Sequence, residues 1–115
     1  MTIDQLTVLL AGRVMGWRVA PDRFLTGSRH WISRWRFQPT ERVKDAYFLL
    51  EQAAPQEFSM DRTPDGRFWV KVSIGGRTGE ARESTQARAV TFAVARAIGL
   101  DPEGRNGPKT GVERR

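Results

Sequence analysis

Residues 58–74 read FSMDRTPDGRFWVKVSI and predict a β-hairpin. At its centre, residues 63–66 have turn chemistry, because proline presets φ, aspartate bonds locally and glycine accepts a positive φ. In residues 68–74, apolar side chains alternate with more polar ones, as in a strand with one buried face. Residues 58–60 predict the shorter partner strand. Strands joined by such a tight turn pair antiparallel.

Three amphipathic segments predict helices around this hairpin. The first helix is predicted at residues 3–15. Each segment follows a residue whose side chain can cap free backbone N–H groups: Thr2, Thr40, and either Ser84 or Thr85. Each stops at a residue that ends helices: Gly16, Pro55 and Gly99.

The sequence predicts further strands between and beyond these helices. Residues 17–19 predict a short strand, and residues 20–29 predict a loop because they are rich in proline, aspartate and glycine. Residues 30–37 alternate and predict a strand with aromatic residues on one face and arginines on the other. Residues 80–83 predict a last short strand. The predicted aromatic face consists of Trp31, Ser33, Trp35 and Phe37.

Together these elements predict an α+β fold. Amphipathic helices must cover a sheet face. We therefore expect an antiparallel sheet of three to five strands flanked by three helices, in the order α-β-β-α-β-β-(β)-α, with an α/β/α sandwich as one form of it. Residues 1–100 are predicted to form one domain. Residues 101–115, rich in glycine, proline and charge, are predicted to form a flexible tail.

Composition limits the kind of protein and the kind of partner. The chain has 115 residues, no cysteine, a net charge of +6 and a pI of about 11.0. The lack of cysteine excludes a disulfide scaffold and a thiolate metal site. No stretch reaches the ~20 apolar residues of a membrane span, and the acidic start does not resemble a signal peptide. The positive charge favours an anionic partner, such as nucleic acid or a nucleotide.

One segment combines this charge with aromatic residues. Six arginines lie between Arg13 and Arg36, and Asp22 is the only acidic residue there. Trp17, Trp31 and Trp35 are interleaved with them, as in surfaces that hold single-stranded nucleic acid by stacking and phosphate pairing. The alternation in residues 30–37 instead favours tryptophans in the core and a solvated arginine face. A GC-rich genome would also explain the excess of arginine over lysine.

Catalytic patterns are absent, so we predict neither an enzyme nor a cofactor. His30 is the only histidine, and no nucleophile elbow surrounds the nearby serines. Residues 75–79 read GGRTG and predict a turn, since they lack the spacing and the lysine of a phosphate-binding loop. A weaker hypothesis places an anion here, at the start of the last helix. The candidate anion-binding residues of the whole chain are Arg18, Arg29, Arg34, Trp35, Arg36, Arg77, Arg82 and Arg88.

Some of these segments resemble known families. The stretch Val14-Met15-Gly16-Trp17, followed by an aromatic strand, the helix at 43–51, the strand at 69–74 and the helix at 87–98, resembles the phage ABA sandwich family. That resemblance covers residues 6–99 and implies a layered α/β/α fold with no established activity. Residues 41–99 are also similar in order to a double-stranded RNA-binding domain. The last helix starts without the paired lysines of that family, so this likeness implies topology alone.

We therefore predict a non-enzymatic phage or prophage accessory protein, located in the bacterial cytoplasm, that binds nucleic acid or a nucleotide. The alternative is a protein-interaction module. Such a module would be a counter-defence inhibitor of a host complex or a self-assembling phage component that forms homo-oligomers. An exposed apolar patch larger than a few hundred Å² would favour that alternative.

Overall fold

The computed structural model describes residues 1–103 and contains three helices and two separate three-stranded antiparallel sheets. The helices are α1 (Ile3–Arg13), α2 (Val43–Ala53) and α3 (Gln86–Ala97). The first sheet contains β1 (Arg18–Val19), β2 (Arg23–Leu25) and β3 (Trp31–Ser33) in that order. The second contains β4 (Glu57–Arg62), β5 (Phe68–Ile74) and β6 (Arg77–Glu83). The predicted α+β class and three helices are confirmed, but the strands form two sheets instead of one.

The predicted hairpin is confirmed as β4 and β5. Arg62 pairs with Phe68, and the Thr63 N–H donates to the Arg67 carbonyl at 2.8 Å across the turn. Gly66 has the positive φ of 84° that the turn requires. The strand predicted at residues 80–83 is longer and begins at residue 77, because residues 75 and 76 alone form the turn before it.

Helix α3 lies at the centre of the molecule. It packs against β5, β6 and α2, and its buried residues run from Ala87 to Ala97 on nearly every side of the helix. The helix predicted here as amphipathic is therefore buried over more of its surface than a single apolar face. Alanine accounts for this, since it is small enough for neighbouring elements to approach from all directions. Within α3 the buried Thr91 hydroxyl donates to the Pro39 carbonyl at 2.7 Å.

Strand β6 approaches this helix at Gly79. A Cβ atom at Gly79 would lie 2.2 Å from the Ala93 carbonyl oxygen and 2.4 Å from the Ala97 backbone nitrogen. Strand and helix are therefore in direct backbone contact at this residue. Gly79 is a packing glycine within a strand and does not belong to a phosphate-binding loop.

Helices α1 and α2 begin differently. Thr2 caps α1 as predicted, because its side chain accepts from the Gln5 N–H at 3.0 Å, and the Gln5 side chain accepts from the Thr2 N–H. The prediction that Thr40 caps α2 is wrong. The residue at the cap position is Arg42, which makes no capping side-chain bond, and Thr40 is buried in the preceding turn.

The second sheet has helices on one face only. Tyr47 of α2 packs on Phe58 of β4, on the same side as the buried Val70 and Val72 that face α3. The opposite face carries mostly exposed polar residues, such as Lys71 and Glu80. Within residues 1–103 the sheet is therefore covered on one side, and an α/β/α layering about it is not observed.

The first sheet differs most from the sequence prediction. Strand β2 lies inside the segment that was predicted as a loop, residues 20–29. The strand predicted at residues 30–37 ends at Ser33 and continues as a 3₁₀ turn, Arg34–Arg36. This turn breaks the alternation on which the predicted aromatic face depended.

After α3, the chain turns back onto the core. Gly99 has a φ of 93°, and Leu100 packs against the core. Pro102 is buried, and Glu103 accepts a hydrogen bond from Arg96 at 2.8 Å. The rest of the predicted tail, residues 104–115, lies outside the described residues. None of the helices in residues 1–103 is long and apolar enough to cross a bilayer.

Candidate anion-binding surface

The outer face of the first sheet brings arginine and tryptophan together. The strand register places Arg18, Leu25 and Trp31 side by side in one row across the three strands. Arg23 lies two residues before Leu25 on β2 and is therefore in the next row of the same face. The inner face carries Phe24, which is completely buried in the core. Because side chains alternate between faces, residues on the row with Trp31 must point away from Phe24. We call the residues Arg18, Arg23, Leu25 and Trp31 the Arg–Trp face.

Trp31 and Arg23 form a stacked pair on this face. The guanidinium carbon of Arg23 lies 4.5 Å from the centre of the Trp31 ring, and half of Trp31, 50%, is exposed. Asp22 Oδ1 lies 3.6 Å from Arg23 Nε, but both side chains are mostly exposed, so this ion pair is weak. Arg18 makes no ion pair with any residue of the described chain. The face therefore keeps a positive charge beside an aromatic ring.

A tight turn between β2 and β3 adds Arg29 at the end of this face. Its N–H donates to the Thr26 carbonyl at 2.9 Å, and the Thr26 N–H donates to the His30 carbonyl at 2.9 Å. Arg29 has a φ of 64°, a left-handed conformation that is uncommon for a residue with a side chain. The turn thus holds an exposed arginine in a strained backbone conformation.

The next predicted residue, Arg34, has a structural role. Its guanidinium donates to the Asp4 carboxylate at 2.9 Å and to the Pro21 carbonyl at 2.8 Å, and it lies over the Phe24 ring. Only 20% of its side chain is exposed. Arg34 therefore connects α1 to the first sheet, and its charge is already neutralised.

Trp35 and Arg36 follow in the 3₁₀ turn and are both exposed, Trp35 by 62%. Trp35 borders a cleft of about 410 Å³ that Arg34 shares. The other charged residues of this cleft are carboxylates: Asp4, Asp22 and Glu41. A cleft with more carboxylates than cations repels phosphate, so Trp35 does not extend the positive surface.

The three arginines predicted near the last helix do not converge. Arg77 and Arg82 are on opposite faces of β6, because their spacing is odd. The Arg77 guanidinium lies beside Gly99, whereas Arg82 lies next to Trp69 on the open sheet face. Arg88 is bound to Glu83 at 2.9 Å and stacks on Phe92. The start of α3 is capped by Thr85, which accepts from the Arg88 N–H. The described residues therefore form no anion site at this helix start.

Sequence reasoning missed Arg23 and Trp31 as site residues. Trp31 was predicted to share a core face with Phe37, and Arg23 was predicted to lie in a loop. The exposure of Trp31 and the burial of Phe37 show that this common face does not exist. One signal was available: Phe24 and Leu25 form a short apolar pair inside the predicted loop, flanked on both sides by polar residues, as in a short strand.

One carboxylate outside the Arg–Trp face has a shifted pKa. The Asp65 carboxylate accepts a hydrogen bond from the Thr63 hydroxyl and lies near Arg67, and these contacts hold the pKa of Asp65 below its ordinary value. Asp65 is in the β4–β5 turn, away from the Arg–Trp face. Among residues 1–103 there is no group of three or more histidines and carboxylates that could hold a metal ion.

Known proteins resemble the chain in fold. No protein-family model matches it, and no curated protein matches its sequence. Among solved structures, a phage protein from Bacillus cereus ATCC 14579 is similar, with a TM-score of 0.71 and 14% identity over 88% of this chain and 91% of that chain. This similarity shows a shared fold. The resemblance to the phage ABA sandwich family stays a prediction.

Proposed function

We propose that this protein is a non-enzymatic phage or prophage accessory protein that binds single-stranded nucleic acid through its Arg–Trp face. The observation that carries the proposal is the exposed stack of Arg23 on Trp31, with Arg18 in the same row as Trp31. Bases stack on tryptophan rings and on guanidinium planes, and free guanidinium groups pair with phosphates. The phage context is supported by the similar fold of the phage protein from Bacillus cereus.

The strained turn supports a binding role for Arg29. A left-handed conformation favours glycine or asparagine, and a bulky residue there costs stability. Strained residues cluster at functional sites, where the side chain has a use. Arg29 extends the positive charge of the Arg–Trp face toward the β2–β3 turn, which suits a polyanion longer than one nucleotide.

The surroundings of His30 support a binding role over a catalytic one. Its Nδ1 shares a hydrogen bond of 3.1 Å with the Ser28 hydroxyl, and both side chains are exposed. Among the described residues, no carboxylate forms a hydrogen bond with His30. A serine nucleophile normally needs a histidine that a third group orients. The proposal therefore assigns this pair no catalytic step.

Fluorescence anisotropy with labelled single-stranded DNA and RNA oligonucleotides at low salt tests the proposal. We expect Trp31→Ala to weaken binding by about 1–3 kcal/mol, the contribution of one stacked base. Arg18→Ala and Arg23→Ala should each lower the slope of log affinity against log salt by about 0.7. Arg82→Ala is the matched control, because it removes the same charge from an exposed position in the other sheet.

Two results would end the proposal. One is the absence of binding to any oligonucleotide at low salt, where phosphate contacts are strongest. The other is an equal loss of affinity in Arg82→Ala and Arg23→Ala, which would mean that charge alone matters and that the Arg–Trp face is not the site.

A second candidate function is a protein interface on α2. Val43 and Phe48 are exposed on this helix, and a cleft of about 590 Å³ runs along it beside Tyr47, Phe48, Leu50 and Pro55. Exposed apolar side chains next to such a cleft are typical of protein-binding surfaces. Light scattering would show a defined oligomer if the partner is a second copy, and Phe48→Ser should then give a monomer.

A further inference from the structure

Behind the Arg–Trp face lies a groove between the β2–β3 hairpin and helix α2. Its apolar walls are formed by Met15, Trp17, Ile32 and Phe48, and its volume is about 540 Å³. Ile32 belongs to the inner face of the first sheet, so the groove and the Arg–Trp face are on opposite sides of one hairpin. We call this cavity the hairpin groove.

The β2–β3 turn is the common border of these two surfaces. Leu25 and Trp31, which pair with each other on the Arg–Trp face, come directly before and after the turn. The turn residues Thr26, Ser28 and His30 line the hairpin groove. A nucleic acid strand that stacks on Trp31 therefore reaches the hairpin groove by crossing a single tight turn, which contains Arg29.

The polar rim of the hairpin groove is already organised. The Thr26 and Ser28 hydroxyls are 3.1 Å apart, the Ser28 hydroxyl lies 3.1 Å from His30 Nδ1, and the His30 N–H donates to the Thr26 hydroxyl. These bonds hold two hydroxyls and an imidazole in fixed positions beside the aromatic wall. Such groups both donate and accept hydrogen bonds, which suits a ligand edge that carries both functions.

The charges inside and outside the hairpin groove differ. None of the residues that line it has a carboxylate, an ammonium or a guanidinium group. Phosphate would find no cation inside, while Arg29 on the turn and Arg18 and Arg23 beyond it provide positive charge outside. The matching ligand is a neutral, flat, hydrogen-bonding ring carried on an anionic chain.

From this arrangement we infer that the hairpin groove takes one base of the nucleic acid strand that the Arg–Trp face binds. The inference rests on the proposed function and adds base selectivity to it. Phe48, exposed by 41%, provides the stacking surface. Ser28 and His30 bond to the edge of the base, and Arg29 pairs with the phosphate at the crossing.

The test compares the affinities of labelled oligo(A), oligo(C), oligo(G) and oligo(T) strands of equal length. The wild-type protein should prefer one of them by about fivefold or more, the equivalent of one hydrogen bond. Ser28→Ala and Phe48→Ala should abolish this preference and leave the salt dependence unchanged, because the phosphate contacts remain. Phe58→Ala is the matched control, since Phe58 is similarly exposed, by 37%, and does not line the groove.

The possible outcomes separate the two proposals. Equal, salt-dependent binding of all four strands by the wild type overturns base selectivity and leaves the Arg–Trp face intact. A preference that survives both groove substitutions, or that Phe58→Ala also abolishes, likewise overturns the inference. Absence of any binding overturns the proposed function together with it. Thermal unfolding by circular dichroism confirms that each variant is folded before its affinity is compared.

Discussion

Replacing Gly79 with alanine tests the central packing of the molecule. The added Cβ atom would lie 2.2 Å from the Ala93 carbonyl oxygen, whereas ordinary van der Waals contact begins at 3.4 Å. The obstructing atoms belong to the backbone of α3 at Ala93 and Ala97. A change of rotamer cannot remove backbone atoms, so strand β6 and helix α3 must move apart.

The magnitude follows from what this movement disrupts. Forcing extra methyl groups into a packed core costs about 1–3 kcal/mol, and occasionally more. We expect about 3 kcal/mol for Gly79→Ala, because α3 packs on both β5 and β6 and cannot shift from one without disturbing the other. Alanine offsets at most about 1 kcal/mol of this cost, because it lowers the conformational entropy of the unfolded chain. The net loss of about 2 kcal/mol is a large share of the ~5–15 kcal/mol that stabilises most domains.

Urea unfolding followed by tryptophan fluorescence measures this loss. Gly12→Ala is the control, because Gly12 is exposed in α1 and a Cβ atom there meets nothing within 4 Å. That substitution should stabilise the protein by about 0.5–1 kcal/mol. If Gly79→Ala proved as stable as the wild type, the close contact between β6 and α3 would not constrain the fold, and our account of the core would be wrong.

Three further substitutions test individual hydrogen bonds. Thr91→Val should cost about 1–3 kcal/mol in urea unfolding, because it leaves the Pro39 carbonyl without its donor; no change would show that this bond is not needed. Thr2→Ala should cost about 1 kcal/mol by removing the cap of α1, and an unchanged midpoint would contradict the capping box. Because the pKa of Asp65 is lower in the folded protein than in the unfolded chain, its ionised carboxylate stabilises the fold at pH values above the unfolded pKa. This stabilisation is lost as the pH falls through the folded pKa. Thr63→Val should raise the Asp65 pKa measured by NMR, and an unchanged titration would exclude the hydroxyl as its main cause.

Local chemistry predicted the elements whose signals are contained in a few adjacent residues. The hairpin was predictable because residues 63–66 allow few conformations other than a turn. The start of α1 was predictable because Thr2 and Gln5 form a reciprocal cap within one turn of helix. In both cases the stabilising contacts are made within the segment itself.

Tertiary contacts decided the elements that the sequence did not predict. Strand β2 has only three residues, and it exists because it pairs on both sides, with β1 and with β3. Thr40 has the chemistry of a helix cap, but its own side chain is buried, and α2 begins only at Val43. Helix α3 is buried on nearly every side because β6 approaches it closely at Gly79. The residues of the helix itself do not encode this approach.

The candidate site was predictable in composition but not in geometry. The sequence showed that arginines and tryptophans were concentrated before α2, and the structure places Arg18 on an exposed sheet face with Trp31. The sequence could not show which arginines were neutralised, because the partner of Arg34, Asp4, is thirty positions away. It also grouped Arg77, Arg82 and Arg88, which the strand alternation and an ion pair separate.

The central position of α3 has a consequence for how the chain is made. Helix α2 and strands β5 and β6 all pack on α3, and α3 follows them in the chain. During synthesis, the earlier elements therefore leave the ribosome before their common partner does. Until α3 has emerged, the apolar faces that it covers lack their partner, and such transiently exposed surface favours aggregation.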